Sequence, residues 1–301
     1  MRRILLGLLT VGAVVGITVY ATNAFFQDTE TSTDNTFTAG KLDLKIDFDG
    51  YYNKVADGTP NAGSWTEKDL AVGVDKFFNF TDVKPGDFGE GTISLHLYDN
   101  DGWGRMVIEN VNDLDNSCTE PEIEDEPGCV NEGLGTGTGE LRENLSFYAW
   151  LDQGETPGFQ NIGADGQPID DDPVIGGIQK PDPTEGDNIW QESAEPQVIT
   201  PGTIDASGET HNFWPALAAY RLSLNTDCDG TDPDGDGHAG YDVCQGLADD
   251  GRLVGSTTYY MGIYWTLPGS VNDSVQSDSL VADVKFETQQ HRNVPTPFPT
   301  P

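Results

Sequence analysis

Residues 227–244, Asp-Cys-Asp-Gly-Thr-Asp-Pro-Asp-Gly-Asp-Gly-His-Ala-Gly-Tyr-Asp-Val-Cys, gather the residue types that hold a hard cation. Asp232, Asp234 and Asp236 alternate at i, i+2 and i+4, and Gly237 follows them. Calcium loops use such spacing because the ion needs several oxygen ligands around a tight turn. The match stops at the twelfth position from Asp232, which is Val243 where a bidentate Glu belongs; Asp242 stands one residue early. Two readings follow. One is a disulfide-framed Ca²⁺ loop with ligands from Asp227, Asp229, Asp232, Asp234, Asp236 and Asp242. The other is an acidic surface loop, and on either reading the chain requires no cofactor.

A second acidic loop, Cys-Thr-Glu-Pro-Glu-Ile-Glu-Asp-Glu-Pro-Gly-Cys, runs from Cys118 to Cys129. It carries Glu120, Glu122, Glu124, Asp125 and Glu126 without glycines between the acids, and it reads as a solvated, disulfide-closed hairpin tip. The four cysteines fall as two close pairs, Cys118/Cys129 and Cys228/Cys244. Even pairing beside an export signal favours two local disulfides over free thiols.

Catalytic constellations are scarce. Zinc proteolysis needs a rigid ligand set such as HExxH on a helix. The four histidines (His96, His211, His238 and His291) never stand at HxxxH spacing, and His96 falls on the polar face of a strand. There is no G-x-S-x-G nucleophile elbow. Gly-Leu-Gly-Thr-Gly-Thr-Gly-Glu at 133–140 lacks the Lys-Ser/Thr of a phosphate loop. The sequence therefore reads as a non-enzyme.

The elements that would position these residues are strands. Alternation with period two marks a strand with one buried face. It sets Leu42, Leu44, Ile46 and Phe48 on one side of 41–48, and Ile93, Leu95 and Leu97 on one side of 91–98. Phe147, Ala149 and Leu151 oppose Ser146, Tyr148 and Trp150. Tyr259, Met261, Ile263 and Trp265 share a face, as do Leu280, Ala282, Val284 and Phe286. Shorter strands are expected at 77–80, 105–110 and 218–224. Strand-rich sequence at both ends of 37–293 predicts one all-β domain, a sandwich whose first and last strands meet. Pro-, Gly- and Asp-rich residues 152–212 read as an irregular insertion, and 294–301, Val-Pro-Thr-Pro-Phe-Pro-Thr-Pro, as an extended tail.

Residues 1–24 pair Arg2-Arg3 with an apolar run from Ile4 to Ala21 and a small residue, Ala24, at the cleavage position, the form of a signal peptide cleaved between Ala24 and Phe25. An uncleaved membrane anchor is the competing reading, because the run can just span a bilayer. The 51 acidic residues stand against 15 basic ones, a formal charge of −36. Such a surface repels nucleic acid.

Several blocks together resemble one family. Ala-Phe-Phe-Gln-Asp-Thr-Glu at 24–30, Thr-Ala-Gly-Lys-Leu-Asp-Leu at 38–44, residues 83–101, 139–151 and 259–293 are similar to the TasA/camelysin family. The likeness does not cover 152–212 or the cysteine loops. It implies a secreted jelly-roll-like β-sandwich, exported with the help of a SipW-type signal peptidase, that polymerises head-to-tail with copies of itself into fibres or pili of a biofilm matrix. Assembly would be by donor-strand complementation. The mature N-terminal segment 25–36, led by Phe25, Phe26, Gln27, Asp28, Thr29 and Glu30, would complete a sheet of the next subunit. Its alternating phenylalanines and β-branched threonines suit an extended donor. Two alternatives stand beside this expectation. One is a monomeric, calcium-stabilised cell-surface adhesion module. The other is a secreted metallopeptidase, since camelysin relatives have been classed so.

Overall fold

The computed structural model describes residues 42–131, 139–154, 158–159, 184–224, 246–292, 294, 297 and 298. Nine strands form there: β1 (Leu42–Tyr52), β2 (Ser64–Lys68), β3 (Phe88–Asp99), β4 (Gly102–Asp115), β5 (Ser146–Leu151), β6 (Gln197–Gly202), β7 (Glu209–Asn212), β8 (Thr257–Thr266) and β9 (Asp278–Gln290). Three helices accompany them: α1 (Glu120–Asp125), α2 (Leu141–Asn144) and α3 (Phe213–Leu224). The all-β sandwich expected from the alternation is the observed class.

One sheet has six strands in the order β2-β1-β3-β8-β5-β6, the other three in the order β7-β4-β9, and every pairing is antiparallel. The chain crosses between the layers five times, and two of these crossings frame the ends of the β4–β9 ladder. Asn100-Asp101 turns β3 into β4 beside the start of β8 and the end of β9, where Leu97 faces Thr257 and Gly102 faces Gln290. Residues 267–277 turn β8 into β9 at the opposite end, where Phe88 faces Thr266 and Asp115 faces Asp278.

The inward rows are those the alternation gives. Ile93, Leu95 and Leu97 of β3, Tyr259, Met261 and Ile263 of β8, and Met106 and Ile108 of β4 are buried between the layers. Each large apolar side chain buried there stabilises the fold by roughly 1.5–3 kcal/mol. Tyr259, deep in this core, is satisfied by donating to the carbonyl of Gly246 at 2.8 Å and accepting from Val254 N at 2.6 Å.

Two short strands are not where the alternation puts them. Residues 77–80 carry no ladder, and their phenylalanines plug the space between sheets instead. Phe77 packs against Phe48 and Phe286, and Phe80 lies between Tyr52 and Trp265. Residues 218–224 belong to α3. The Ala-Leu-Ala-Ala run favours a helix, Pro215 sits in the first turn where its missing N–H costs nothing, and Phe213 and Leu217 bury one i, i+4 face.

The span 152–212 contributes more than an irregular loop. Its C-terminal part supplies β6 to the edge of the large sheet and β7 to the small one. Its described residues 184–196 also cover the outer face of the large sheet. There Trp150, on the row that alternation turns away from the core, is buried. Its ring lies flat across Gly262 of β8, the residue it pairs with; a Cβ at Gly262 would stand 2.1 Å from the indole.

Candidate functional site

The surface with most capacity for assembly is the outer edge of β9. Among the described residues, four strands end the sheets: β2, β6 and β7 with 5, 6 and 4 residues, and β9 with 13. β9 pairs with β4 on one side and has no described partner on the other. A strand edge of that length offers a row of unpaired N–H and C=O groups, the template another chain reads.

The usual guards are weak here. The bulge in this ladder lies in β4, between Glu109 and Asn112, and β9 itself runs unbroken. It contains no proline. Its charged outer row is turned toward β4 rather than across the free edge. Lys285 pairs with Glu109, Glu287 with Arg105 at 2.6 Å, and Asp283 accepts from Asn110 Nδ2 at 2.7 Å. On the inner row, Ala282, Val284 and Phe286 pack against the core yet stay only half-buried. Phe286 meets Phe77 edge-on with centroids 5.7 Å apart. The lip of the sandwich under β9 is thus apolar and incompletely covered.

Near the end of the same strand the tail returns. Phe298 donates its N–H to Gln289 Oε1 at 2.6 Å, stacks on Trp214 at 5.9 Å, and lies 3.9 Å beneath the Arg105 guanidinium. At this point Phe298 docks against the sandwich.

The residues singled out from the sequence divide into two groups. The cleavage pair Ala24 and Phe25, the donor segment 25–36, Cys228 and Cys244, and Asp227, Asp229, Asp232, Asp234, Asp236 and Asp242 all lie outside the described residues. Cys118 and Cys129 are joined as a disulfide with Cα atoms 5.6 Å apart. The loop they close is not a solvated hairpin tip, however. It folds into α1, started by a capping box in which Glu122 Oε2 accepts from Thr119 N at 2.8 Å, and Glu122 is fully buried. Pro121 in the first turn and the spacing Thr119-x-x-Glu122 carry that helix signal in the sequence.

His96 takes the satisfied surface position expected of it. Its Nε2 lies 2.8 Å from Asp47 Oδ2 and its Nδ1 3.0 Å from Thr258 Oγ1. His211 pairs with Glu209 at 2.7 Å and His291 with Asp250 at 3.0 Å, in separate parts of the fold.

Sequence reasoning passed over a buried carboxylate pair at the root of the inserted segment. Asp152 Oδ2 accepts from Asn188 N at 2.7 Å, and Glu195 accepts from Gly154 N and Gln191 N, both at 2.8 Å. Burial, and then the neighbouring Asp152 charge, pushes Glu195 up to about 9; burial, and then Asp187, pushes Asp152 up to about 7. These hydrogen bonds tie 184–196 to β5. No helix among the described residues is long and apolar enough to cross a membrane. No protein-family model matches the chain, and no curated protein matches it.

Proposed function

We propose that this protein is a secreted structural subunit that polymerises into extracellular fibres, its β9 edge receiving the N-terminal segment of a neighbouring copy. The observation that carries the reading is β9 itself: 13 residues long, without a strand partner on its free side among the described residues, and half-covered beneath. Lying antiparallel or parallel along β9, a segment led by Phe25 and Phe26 would add a fourth strand to the small sheet. It would also lay apolar side chains on the lip formed by Val284 and Phe286. Each phenylalanine buried there contributes roughly 1.5–3 kcal/mol, and the ladder sets its register. The disulfide at Cys118–Cys129 suits an oxidising compartment. The resemblance to TasA/camelysin proteins supplies the mode of assembly.

The test is negative-stain microscopy of the chain beginning at Phe25, beside a variant lacking residues 25–36. Filaments from the first and folded monomers from the second are expected. Filaments from the shortened chain would remove the donor assignment. Persistent monomers from both would favour the adhesion-module alternative. A second variant, Val284→Lys, places a charge under the proposed donor and should suppress filaments while the monomer stays folded.

A further inference from the structure

At the end of the β4–β9 ladder, carboxylates converge from three elements. Asp115 closes β4 and stands directly across from Asp278, the first residue of β9. Glu122 comes from α1, and its ligand-capable oxygen lies within 4.8 Å of those of both aspartates. Two like charges opposite one another on a ladder destabilise it, and a third carboxylate buried against them needs a compensating charge.

The individual oxygens are sorted in a telling way. Glu122 is fully buried; its Oε2 is engaged by Thr119 N, while its Oε1 has no partner. Asp278 accepts with Oδ2 from Glu140 N at 2.6 Å and Leu141 N at 3.0 Å, while its Oδ1 has no partner. Asp115 is 5% exposed, and its Oδ1 is unpartnered as well. In two of the three groups backbone N–H donors fix one oxygen and leave the other without a partner, the arrangement by which outer contacts orient metal ligands. Glu126 and Glu140 add two more unpartnered oxygens. The nearby Arg142 is held at 3.6 Å from Asp113 and at 3.1 Å from Glu143.

We propose that Asp115, Glu122 and Asp278 bind a calcium ion that closes this end of the sandwich. The donor set is all oxygen, which selects a hard cation over zinc or copper. A separation of up to 4.8 Å between ligand atoms fits across an ion whose bonds are about 2.3–2.6 Å. Magnesium, which holds on to its waters, is poorly served by a cage built from protein carboxylates alone. The disulfide between Cys118 and Cys129 brackets α1, so Glu122 is held in place before the ion arrives. This site is separate from the Asp227–Asp242 loop, and its test reads the folded monomer, so it stands or falls independently of fibre formation.

The experiment is a calcium titration by calorimetry and thermal unfolding on the oxidised chain starting at Phe25, in EGTA and in about 10 mM Ca²⁺. A triple Asp232→Asn, Asp234→Asn, Asp236→Asn variant serves as background, so that the other acidic loop cannot answer. Binding in the range of extracellular calcium modules, about 10⁻⁴–10⁻³ M or tighter, should raise Tm by several degrees. On that background Glu122→Gln keeps its acceptor for Thr119 N but loses a ligand charge. It should weaken calcium binding at least about tenfold while raising Tm in EGTA, because a buried repulsion has gone. Asp278→Asn, on a different element, keeps an acceptor for Glu140 N and Leu141 N and should show the same pair of effects. A Tm indifferent to calcium, an equal response to magnesium, or a Glu122→Gln protein that binds calcium as before would each overturn the assignment.

Discussion

The two groups of buried carboxylates in this protein are built on opposite plans. At Asp152 and Glu195, three of the four carboxylate oxygens each receive a backbone N–H, and only Asp152 Oδ1 is left without a partner. At Asp115, Glu122 and Asp278, one oxygen of each remains unpartnered, and each residue brings a carboxylate oxygen within 4.8 Å of the others. Burial alone does not separate the two, since Asp152 and Glu122 are both fully buried. What separates them is where the donors lie. Donors supplied by the fold make a structural fastening, whereas donors withheld by it leave a vacancy of the right charge for a cation.

That contrast can be tested by damage to each side. The largest effect should come from Cys118→Ser with Cys129→Ser. Releasing this short loop costs roughly 2–4 kcal/mol of stability in chemical denaturation. It should also lower calcium affinity, because α1 no longer presents Glu122. Asp152→Ala should cost about 1–3 kcal/mol by stranding the buried N–H of Asn188, and it should leave the calcium response of the protein unchanged. If the two variants affected calcium binding equally, the distinction drawn between the groups would collapse.

A pH series sharpens the same point. Glu195 has its folded pKa raised above the ordinary carboxylate value, so the native state holds a proton that the unfolded chain has already released. Stability from this pair is therefore present at mildly acidic pH and declines as pH rises toward about 9. Thermal unfolding at constant calcium should show that decline, and Glu195→Gln should flatten it. The smallest effect should follow His96→Gln. His96 lies between Asp47 and Thr258 on an outer face, and exposed pairs of this kind contribute under about 1 kcal/mol.

Much of the architecture was legible because alternation is a direct consequence of the pleat. The rows Ile93-Leu95-Leu97 and Tyr259-Met261-Ile263 went inward as their spacing required. Residues 77–80 misled because four apolar-rich residues serve equally well as a strand or as a plug between sheets. Residues 218–224 misled because the helix signal sat upstream, in Pro215 and the alanines. The Asp115–Glu122–Asp278 group could not be read at all as a set, since Asp115 and Asp278 become neighbours only through the β4–β9 register. Local spacing instead drew attention to Asp232, Asp234 and Asp236, where consecutive acids advertise themselves. Thr119 and Glu122 did carry a local signal, the capping box, which turns the acidic loop into a helix.

The indole of Trp150 resting on Gly262 has a bearing on how the large sheet finds its correct pairing. Sliding β5 along β8 by two positions would preserve every inward and outward assignment, so water-aversion alone cannot reject it. It would, however, bring Tyr260 or Tyr264 beneath the indole, where only a hydrogen atom fits. A bare backbone position thus acts as a proofreading notch, discarding misaligned ladders that the greasy pattern would accept.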